Sequence, residues 1–341
     1  MANINLTYRC NLRCPYCFAN EFVNKYDTDI TIENFQKAVD FAISSGPSRI
    51  GLIGGEPLIH PLFPDILDIL INNTKVKGVN LYTNGVYLDK YFDILKNPKL
   101  DILVNCNSPK QIGTSAFERC NSNLAHLFLT KKEGITLGVN FHDDCQDYSF
   151  IVELLKQFNQ KGVRISVTVP DFSSSPKCPS IIYFKERKSK LWKLFQTLKN
   201  INVMPYYDCN SVPFCIWNAE EQQQLKEWAD SSSEVFTNII SKNIKCDPIV
   251  DILPNLQAIR CFGLSNISKV DIADFENIAD LENYYLTRID SISTLFCPSI
   301  QCQTCYEHKT GKCIAGCIGF NTKTLKKVHD YIEESETRER E

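Results

Sequence analysis

The sequence predicts an α/β protein: an open, TIM-like partial (β/α)6 barrel followed by a small cysteine-rich domain containing a β-hairpin and helices. Two observations carry this reading. Strand-like and helix-like patterns alternate through six strands over about 165 residues, too few for the eight units of a closed barrel. Nine of the sixteen cysteines then fall from Cys209 onward, which marks a second unit. The expected divisions are 1–170 for the barrel, 171–208 for a linker and bridging helix, 209–322 for the cysteine-rich domain, and 323–341 for a charged carboxy-terminal segment.

The elements follow in order. Ile4-Asn5-Leu6-Thr7-Tyr8 alternates as a first strand and runs into Cys10-Asn11-Leu12-Arg13-Cys14-Pro15-Tyr16-Cys17. Thr31 suits a helix N-cap with Glu33 in the first turn; Phe35, Ala38, Val39, Ala42 and Ile43 form one apolar face, and Gly46-Pro47 ends it. Residues 48–53 read as a second strand that leads directly into Gly54-Gly55-Glu56-Pro57. Helices are expected over 62–72, 88–96, 115–130 and 148–160, with strands over 78–82, 101–105, 135–141 and 164–169. Ligands of such sheets sit beyond the carboxyl ends of the strands, where the Cys10 loop, Glu56, Thr83-Asn84-Gly85 and Asn105-Cys106-Asn107-Ser108 should converge. Pro170 to Pro176 closes the alternation. A basic helix over 185–198 carries Leu191, Leu194, Phe195 and Leu198 on one face, and its charges read as solvated surface. Beyond Gly319 a charged helix or frayed tail is expected.

Composition narrows the class. With 43% hydrophobic and 23% charged residues, no long disordered region is expected. A net charge of -3 gives no basic footprint for nucleic acid. No apolar run approaches membrane-spanning length and no secretory signal opens the chain, so a soluble cytoplasmic protein without membrane partners is expected. In that setting sixteen thiols serve metal or chemistry rather than disulfides.

Three thiols on one loop can face one metal centre. Iron-sulfur clusters are commonly held by four cysteine thiolates, so Cys10, Cys14 and Cys17 with no fourth nearby leave one iron open to a substrate or cofactor. A zinc site or redox thiol pair competes, but zinc usually draws four ligands from paired knuckles. Downstream, the two glycines let backbone approach a ligand closely, and the Glu56 carboxylate suits an ammonium group. In the second half, Cys209 and Cys215 flank five residues. Cys246 and Cys261 bracket two alternating runs joined at Pro254-Asn255, a hairpin with a thiol at each end. Cys297, Cys302, Cys305, Cys313 and Cys317 follow, too dense for packing alone; a four-thiolate zinc site from the last four competes with a cluster. Cys106, Cys120, Cys145 and Cys178 lack spacing partners and read as buried packing residues, although Cys106 lies at the proposed active face.

The CxxxCxxC loop together with Gly54-Gly55-Glu56-Pro57 resembles the radical SAM superfamily. The resemblance implies a [4Fe-4S] cluster on Cys10, Cys14 and Cys17, S-adenosylmethionine on its fourth iron, and reductive cleavage to a 5'-deoxyadenosyl radical that removes a substrate hydrogen. It implies that Tyr16 packs by the adenine and that the Gly54, Gly55, Glu56, Pro57 edge takes the methionine ammonium. Asn84 and Asn105 become partners for the ribose or carboxylate, with strand-end turn chemistry as their alternative role, and Arg119 a further candidate for the carboxylate. The cysteine-rich half resembles the SPASM or twitch extension of peptide-modifying enzymes, including the anaerobic sulfatase-maturating enzymes. By that likeness Cys246, Cys261, Cys317 and Cys215 hold a first auxiliary [4Fe-4S] cluster and Cys302, Cys305 and Cys313 a second. The usual last ligand is missing beyond Cys317, so Cys297 substitutes or an iron stays open; the gap from Cys305 to Cys313 is also two residues longer than usual. Cys209 is then the spare thiol: a hydrogen-atom donor to a carbon radical, a ligand, or an inert core residue.

The implied activity is oxidation or crosslinking of a peptide or protein side chain. The alternatives are a dehydrogenase or epimerase acting on a small molecule such as a sugar or cyclitol, and a non-enzymatic iron-sulfur electron carrier. An external donor such as a flavodoxin or ferredoxin is implied. With the first thiol at position 10, no amino-terminal leader-binding domain is expected, and the carboxy-terminal half or a separate leader-binding protein recruits the substrate.

Overall fold

Ten strands join in one sheet in the order β10-β9-β8-β1-β2-β3-β4-β5-β6-β7. The computed structural model describes residues 1–26, 28–142, 147–168, 180–232, 238–246, 249–296 and 299–340. The strands are β1 (Ala2–Asn5), β2 (Ser48–Ile53), β3 (Val76–Thr83), β4 (Leu100–Cys106), β5 (Ile135–Phe141), β6 (Gly162–Val167), β7 (Met204–Tyr207), β8 (Val250–Ile252), β9 (Gln257–Ile259) and β10 (Val270–Asp271). From β1 to β7 every neighbour pair is parallel. The sheet does not close on itself: β7 and β10 are its two edges, as expected of a partial barrel.

Parallel strands need crossovers, and the sequence supplies amphipathic helices for them. Thr31 caps Ile32–Ala42 by accepting from the Asn34 amide, and Phe35, Ala38, Val39 and Ala42 are buried. Phe63–Asn72, Thr114–Thr130 and Ser149–Gln157 follow the same logic. Alternate strand residues Ile50, Leu52, Val79, Leu81, Ile102, Val104, Leu137, Val139, Val163 and Ile165 are buried with the helices in one core. Side chains alternate faces along a strand, so the residues between them line the other face. There Asn3, Tyr82, Asn105, Asn140 and Arg164 stand, a polar interior.

Two features extend the expected architecture. A seventh parallel strand, β7, follows the long helix Ser180–Asn200, whose Leu191, Leu194, Phe195 and Leu198 are buried and whose Trp192 and Phe195 pack on Trp217. The hairpin β8–β9 turns at Pro254-Asn255 as the spacing predicts, but it does not stand apart. Strand β8 pairs parallel with β1, Ala2 opposite Val250, so the cysteine-rich half is built onto the barrel's own sheet. Expected helix 88–96 is instead a 3₁₀ turn (Leu88–Lys90) and a short helix (Phe92–Leu95). The Pro170–Pro176 stretch, Cys145, Cys178 and Cys297 lie outside the described residues. Cys106 and Cys120 are buried in the core. The tail is helical from Thr322 to Arg340. Among the described residues no helix is long and apolar enough to cross a membrane.

Candidate active site and thiol clusters

The chain leaves the sheet after Asn5 and is pinned at once. Thr7 Oγ1 and Arg9 both donate to Asp29, the guanidinium through Nε and Nη2. The Cys10 amide donates to Asn24 Oδ1 (2.9 Å), and Asn24 Nδ2 donates back to the Leu12 carbonyl. These contacts fold residues 10–17 into a loop over the end of β2. There the Gly55 amide donates to the Thr7 carbonyl (2.7 Å) and the Glu56 amide to the Arg9 carbonyl (2.9 Å). The two glycines are required by this approach. Gly54 has φ +154, and a Cβ on Gly55 would lie 2.1 Å from the Arg9 carbonyl oxygen.

Glu56 is 1% exposed. Its Oε1 accepts from the Leu58 amide (3.1 Å) and Thr83 Oγ1 (2.7 Å), and its Oε2 accepts from the Asn84 amide (2.8 Å). Burial pushes its pKa up to about 7, against the pull of those three donors. Pro57 starts the 3₁₀ turn Pro57–Ile59. The Cys10 thiol is pushed up to about 12, first by burial and then by the nearby Glu56, Cys14 and Cys17 charges. Burial likewise raises Cys14 to about 11 and raises Cys17. The three thiols and the carboxylate therefore share one half-buried space. Thiols held in the protonated form release protons to a metal that binds them.

The other expected residues fall as described next to their partners. Tyr16 donates its hydroxyl to Asn107 Oδ1 and packs on His142 with ring centroids 4.5 Å apart and the rings tilted by 40°. Asn84 Nδ2 donates to Asn11 Oδ1 (2.8 Å) and Asn84 Oδ1 accepts from the Val86 amide, which ties the β3 turn to the cysteine loop. Asn105 Oδ1 accepts from Arg164 Nη1 (3.1 Å). Arg119 is engaged by Asp89 (2.8 Å) and by the Tyr87 ring, and no contact among the described residues joins it to the Cys10 loop.

Several residues carry no mark in the sequence that would single them out. Arg164 forks between Asn105, Asn140 (2.9 Å) and Asp208 (2.6 Å), the residue before Cys209. Asn5 is fully buried beside Gly54, yet among the described residues neither atom of its amide has a partner. Such an orphan at the rim of the thiol space fits a ligand that supplies the missing hydrogen bonds. One signal does exist: polar residues recur on alternate positions of β1, β3, β4, β5 and β6, facing away from the helices.

The eight described carboxy-terminal thiols sort into two groups of four. Cys209, Cys246, Cys261 and Cys317 lie close enough to repel one another's negative charge. The Cys317 amide donates to Asn210 Oδ1 (3.2 Å), which ties Cys317 to the segment carrying Cys209. Cys209 is exposed as a residue, but protein atoms crowd its sulfur and push its thiol up. Cys215, Cys302, Cys305 and Cys313 form the second group by the same mutual repulsion. Ile244 and Cys313 form a β-bridge, and Lys185 reaches both Gln301 and the neighbourhood of Cys215. This partition differs from the expected one at two residues: Cys209 takes the place given to Cys215, and Cys215 is the fourth thiol of the second group. It also parts Cys317 from Cys302, Cys305 and Cys313, so the zinc grouping of those four is not assembled.

Among the described residues no three His, Cys, Asp or Glu side chains converge tightly enough for a single metal ion. Each group brings four thiols together, with Asp208 and Asp251 near the first and His308 bonded to the Cys313 carbonyl beside the second; four thiols are the donor set of an iron-sulfur cluster, whose ligands surround four irons rather than one.

Comparison with known proteins agrees with this geometry. Residues 4–111 match the model of the radical SAM superfamily. Those residues form a radical SAM domain. A GTP 3',8-cyclase of Synechocystis sp. is 30% identical over 142 residues, 40% of this chain and 43% of that protein. The subtilosin biosynthesis protein AlbA of Bacillus subtilis is 35% identical over 104 residues, 30% of this chain and 22% of that protein. The chain thus spans less than half the length of these curated relatives. In fold, the radical SAM domain together with the cysteine-rich half superposes on Streptococcus suis SuiB bound to S-adenosylmethionine (TM-score 0.60, 15% identity, 93% of this chain and 72% of that one). The same residues also superpose on anSMEcpe bound to AdoMet and the Cp18Cys peptide (TM-score 0.61, 16% identity, 97% and 99%).

Proposed function

We propose that this radical SAM enzyme abstracts hydrogen from a side chain of a peptide or protein and leaves it oxidised or crosslinked. One observation carries the reading. The two four-thiol groups sit within a fold shared over more than nine-tenths of the chain with two proteins, SuiB and anSMEcpe, each also solved with a peptide. In this reading Cys10, Cys14 and Cys17 hold a [4Fe-4S] cluster, and the two groups of four each hold an auxiliary [4Fe-4S] cluster. When bound, the first cluster and S-adenosylmethionine supply the 5'-deoxyadenosyl radical.

The chain's own groups do the positioning. Glu56 receives the methionine ammonium at an edge where Gly54 and Gly55 keep the backbone close. Tyr16, packed against His142, borders the adenine. Asn5 supplies an amide with no other partner among the described residues. The polar interior around Asn105, Asn140 and Arg164 holds the target and orients its carbon, and burial excludes water from the radical. An external flavodoxin or ferredoxin feeds the electron, in the cytoplasm, and a separate protein or the carboxy-terminal half recruits the substrate.

The test is deuterium transfer. A labelled peptide substrate should deliver deuterium into 5'-deoxyadenosine, and no transfer across a panel of peptides from neighbouring reading frames would defeat the peptide reading. A small-molecule substrate is the second reading, favoured by the likeness to GTP 3',8-cyclases, which covers at most 48% of this chain. A non-enzymatic electron carrier predicts clusters but no reductive cleavage of S-adenosylmethionine.

A further inference from the structure

The first group of four thiols contains a cation. Arg260 directly precedes Cys261 and heads the largest fully buried side chains, with 1% of its side chain exposed. A guanidinium that deep requires partners. Its Nε and Nη2 donate to the two oxygens of Asp290 at 2.9 and 2.8 Å, and Nη2 also donates to the Cys246 carbonyl. Asp290 ends a single π-helical turn, Leu286–Asp290, inserted between the helices Ile278–Tyr285 and Ser291–Ser293. Such turns are rare and recur at functional sites; this one presents Asp290, 14% exposed, to the arginine.

Orientation gives the pair its meaning. The guanidinium stands beside the thiols: its Nη2 donates to the Cys246 carbonyl, Arg260 directly precedes Cys261, and the charges of Cys246 and Cys261 act on it. Asp290 holds it through the Nε and Nη2 edge. A clamp alone gains little from charges, because a buried ion pair is often no more stabilising than an apolar pair of similar volume. A four-thiolate iron-sulfur cluster is net negative and gains one more negative charge on reduction. A buried cation at its ligands stabilises the reduced state, since net charge and hydrogen bonds to sulfur set cluster potentials.

We propose that Arg260, oriented by Asp290, raises the reduction potential of the auxiliary cluster held by Cys209, Cys246, Cys261 and Cys317. It is a positioning residue for charge, and this role rests on the auxiliary-cluster reading above. Among the described residues the other group, on Cys215, Cys302, Cys305 and Cys313, has only the exposed Lys185 acting on Cys215 and no buried arginine beside a ligand, so a screened cation replaces a desolvated one and the two auxiliary clusters should differ in potential.

The experiment uses the full chain with Cys10, Cys14 and Cys17 changed to alanine, which leaves auxiliary signals alone, reconstituted anaerobically with iron and sulfide and followed by EPR-monitored redox titration. Arg260→Met should lower the midpoint of one cluster signal, Arg260→Lys should lower it less, and Asp290→Asn should raise it, while the other signal stays fixed. Opposite signs for Arg260→Met and Asp290→Asn are decisive, because a merely loosened site would move both the same way. Equal midpoints in all variants, or shifts of one sign, overturn the proposal. Should Arg260→Met lose iron, Arg260→Lys and Asp290→Asn decide it in the same manner. A parent protein with no auxiliary signal overturns the cluster reading itself, a separate outcome from unchanged midpoints.

Discussion

Replacing Glu56 by glutamine tests the proposed S-adenosylmethionine site most directly, because shape is kept and only charge and one acceptor are lost. The carboxylate accepts three hydrogen bonds, two at Oε1 and one at Oε2. A glutamine places its amide oxygen where two donors converge, toward Leu58 N and Thr83 Oγ1. Its NH₂ then faces the Asn84 amide, donor against donor. Leaving that half-buried amide unsatisfied costs about 1 kcal/mol of stability, the low end of the range for a buried donor. The loss of a charge-assisted bond to a ligand ammonium costs about 1.5–3 kcal/mol of affinity, roughly 10- to 150-fold in Kd for S-adenosylmethionine. Thr83→Val is the graded control: it removes one neutral donor, about 0.5–1.5 kcal/mol, and should weaken binding by no more than about tenfold. Anaerobic isothermal titration calorimetry on reconstituted protein, with iron content measured in parallel, reads both. Binding by Glu56→Gln within about threefold of the parent, with iron intact, would refute the placement of the ammonium at Glu56.

The remaining expectations concern thiols, a glycine and the long helix. Cys14→Ala should lose about four irons and all cleavage of S-adenosylmethionine while keeping the auxiliary signals, as read by iron analysis and product chromatography. Cys209→Ser should perturb the same Mössbauer component as Cys246→Ser, and Cys215→Ser the same component as Cys305→Ser; a reversed pairing would return Cys215 to the first cluster. Gly55→Ala must push a methyl into the Arg9 carbonyl, 2.1 Å away, and should destabilise the loop by about 3 kcal/mol with lower iron retention in a thermal melt. Leu191→Ala, in the buried face of Ser180–Asn200, should cost about 2–5 kcal/mol in denaturant unfolding without altering the cluster spectra.

The barrel was legible wherever local pattern and tertiary role agree. Residues 135–141 alternate because β5 has one face in the core, and the strand falls where the pattern puts it. The first strand shows the limit. Ile4 to Tyr8 alternates, but β1 is Ala2–Asn5, because its register is set by pairing to Ile50 and Val250 while Thr7 turns away to Asp29. Strand β7 escaped because Met204-Pro205-Tyr206-Tyr207 is a short edge strand holding a proline, tolerated only where a donor is not needed. The pairing of β8 with β1 spans most of the chain and leaves no local mark. The same reason explains the thiols. Spacing locates a cysteine along the chain, whereas the exchange of Cys209 and Cys215 depends on which way the turn Phe214–Ile216 carries one of them relative to Asn210.

That exchange bears on how the two halves work together. Asp208 and Cys209 follow β7 directly, and Asp208 is bonded to Arg164, whose other nitrogen bonds Asn140 and Asn105. Tyr16, between Cys14 and Cys17, donates its hydroxyl to Asn107, whose Nδ2 donates to the Asn105 carbonyl. Hydrogen bonds through Asn107, Asn105 and Arg164 therefore link the Cys10 loop to Asp208, the residue before Cys209. Arg164 is 10% exposed on its side chain and Asp208 31%, so the pair is dry enough to be rigid and still borders open space. In the proposed function a substrate held there would lie between the Cys10 loop and the thiols of the first group. With β8 joined to β1 in one sheet, the separation of those two centres is set by backbone pairing rather than by a flexible linker. In the auxiliary-cluster reading proposed above, Cys209, spare when judged by spacing alone, serves as a ligand beside Cys246, Cys261 and Cys317 rather than as a free hydrogen-atom donor.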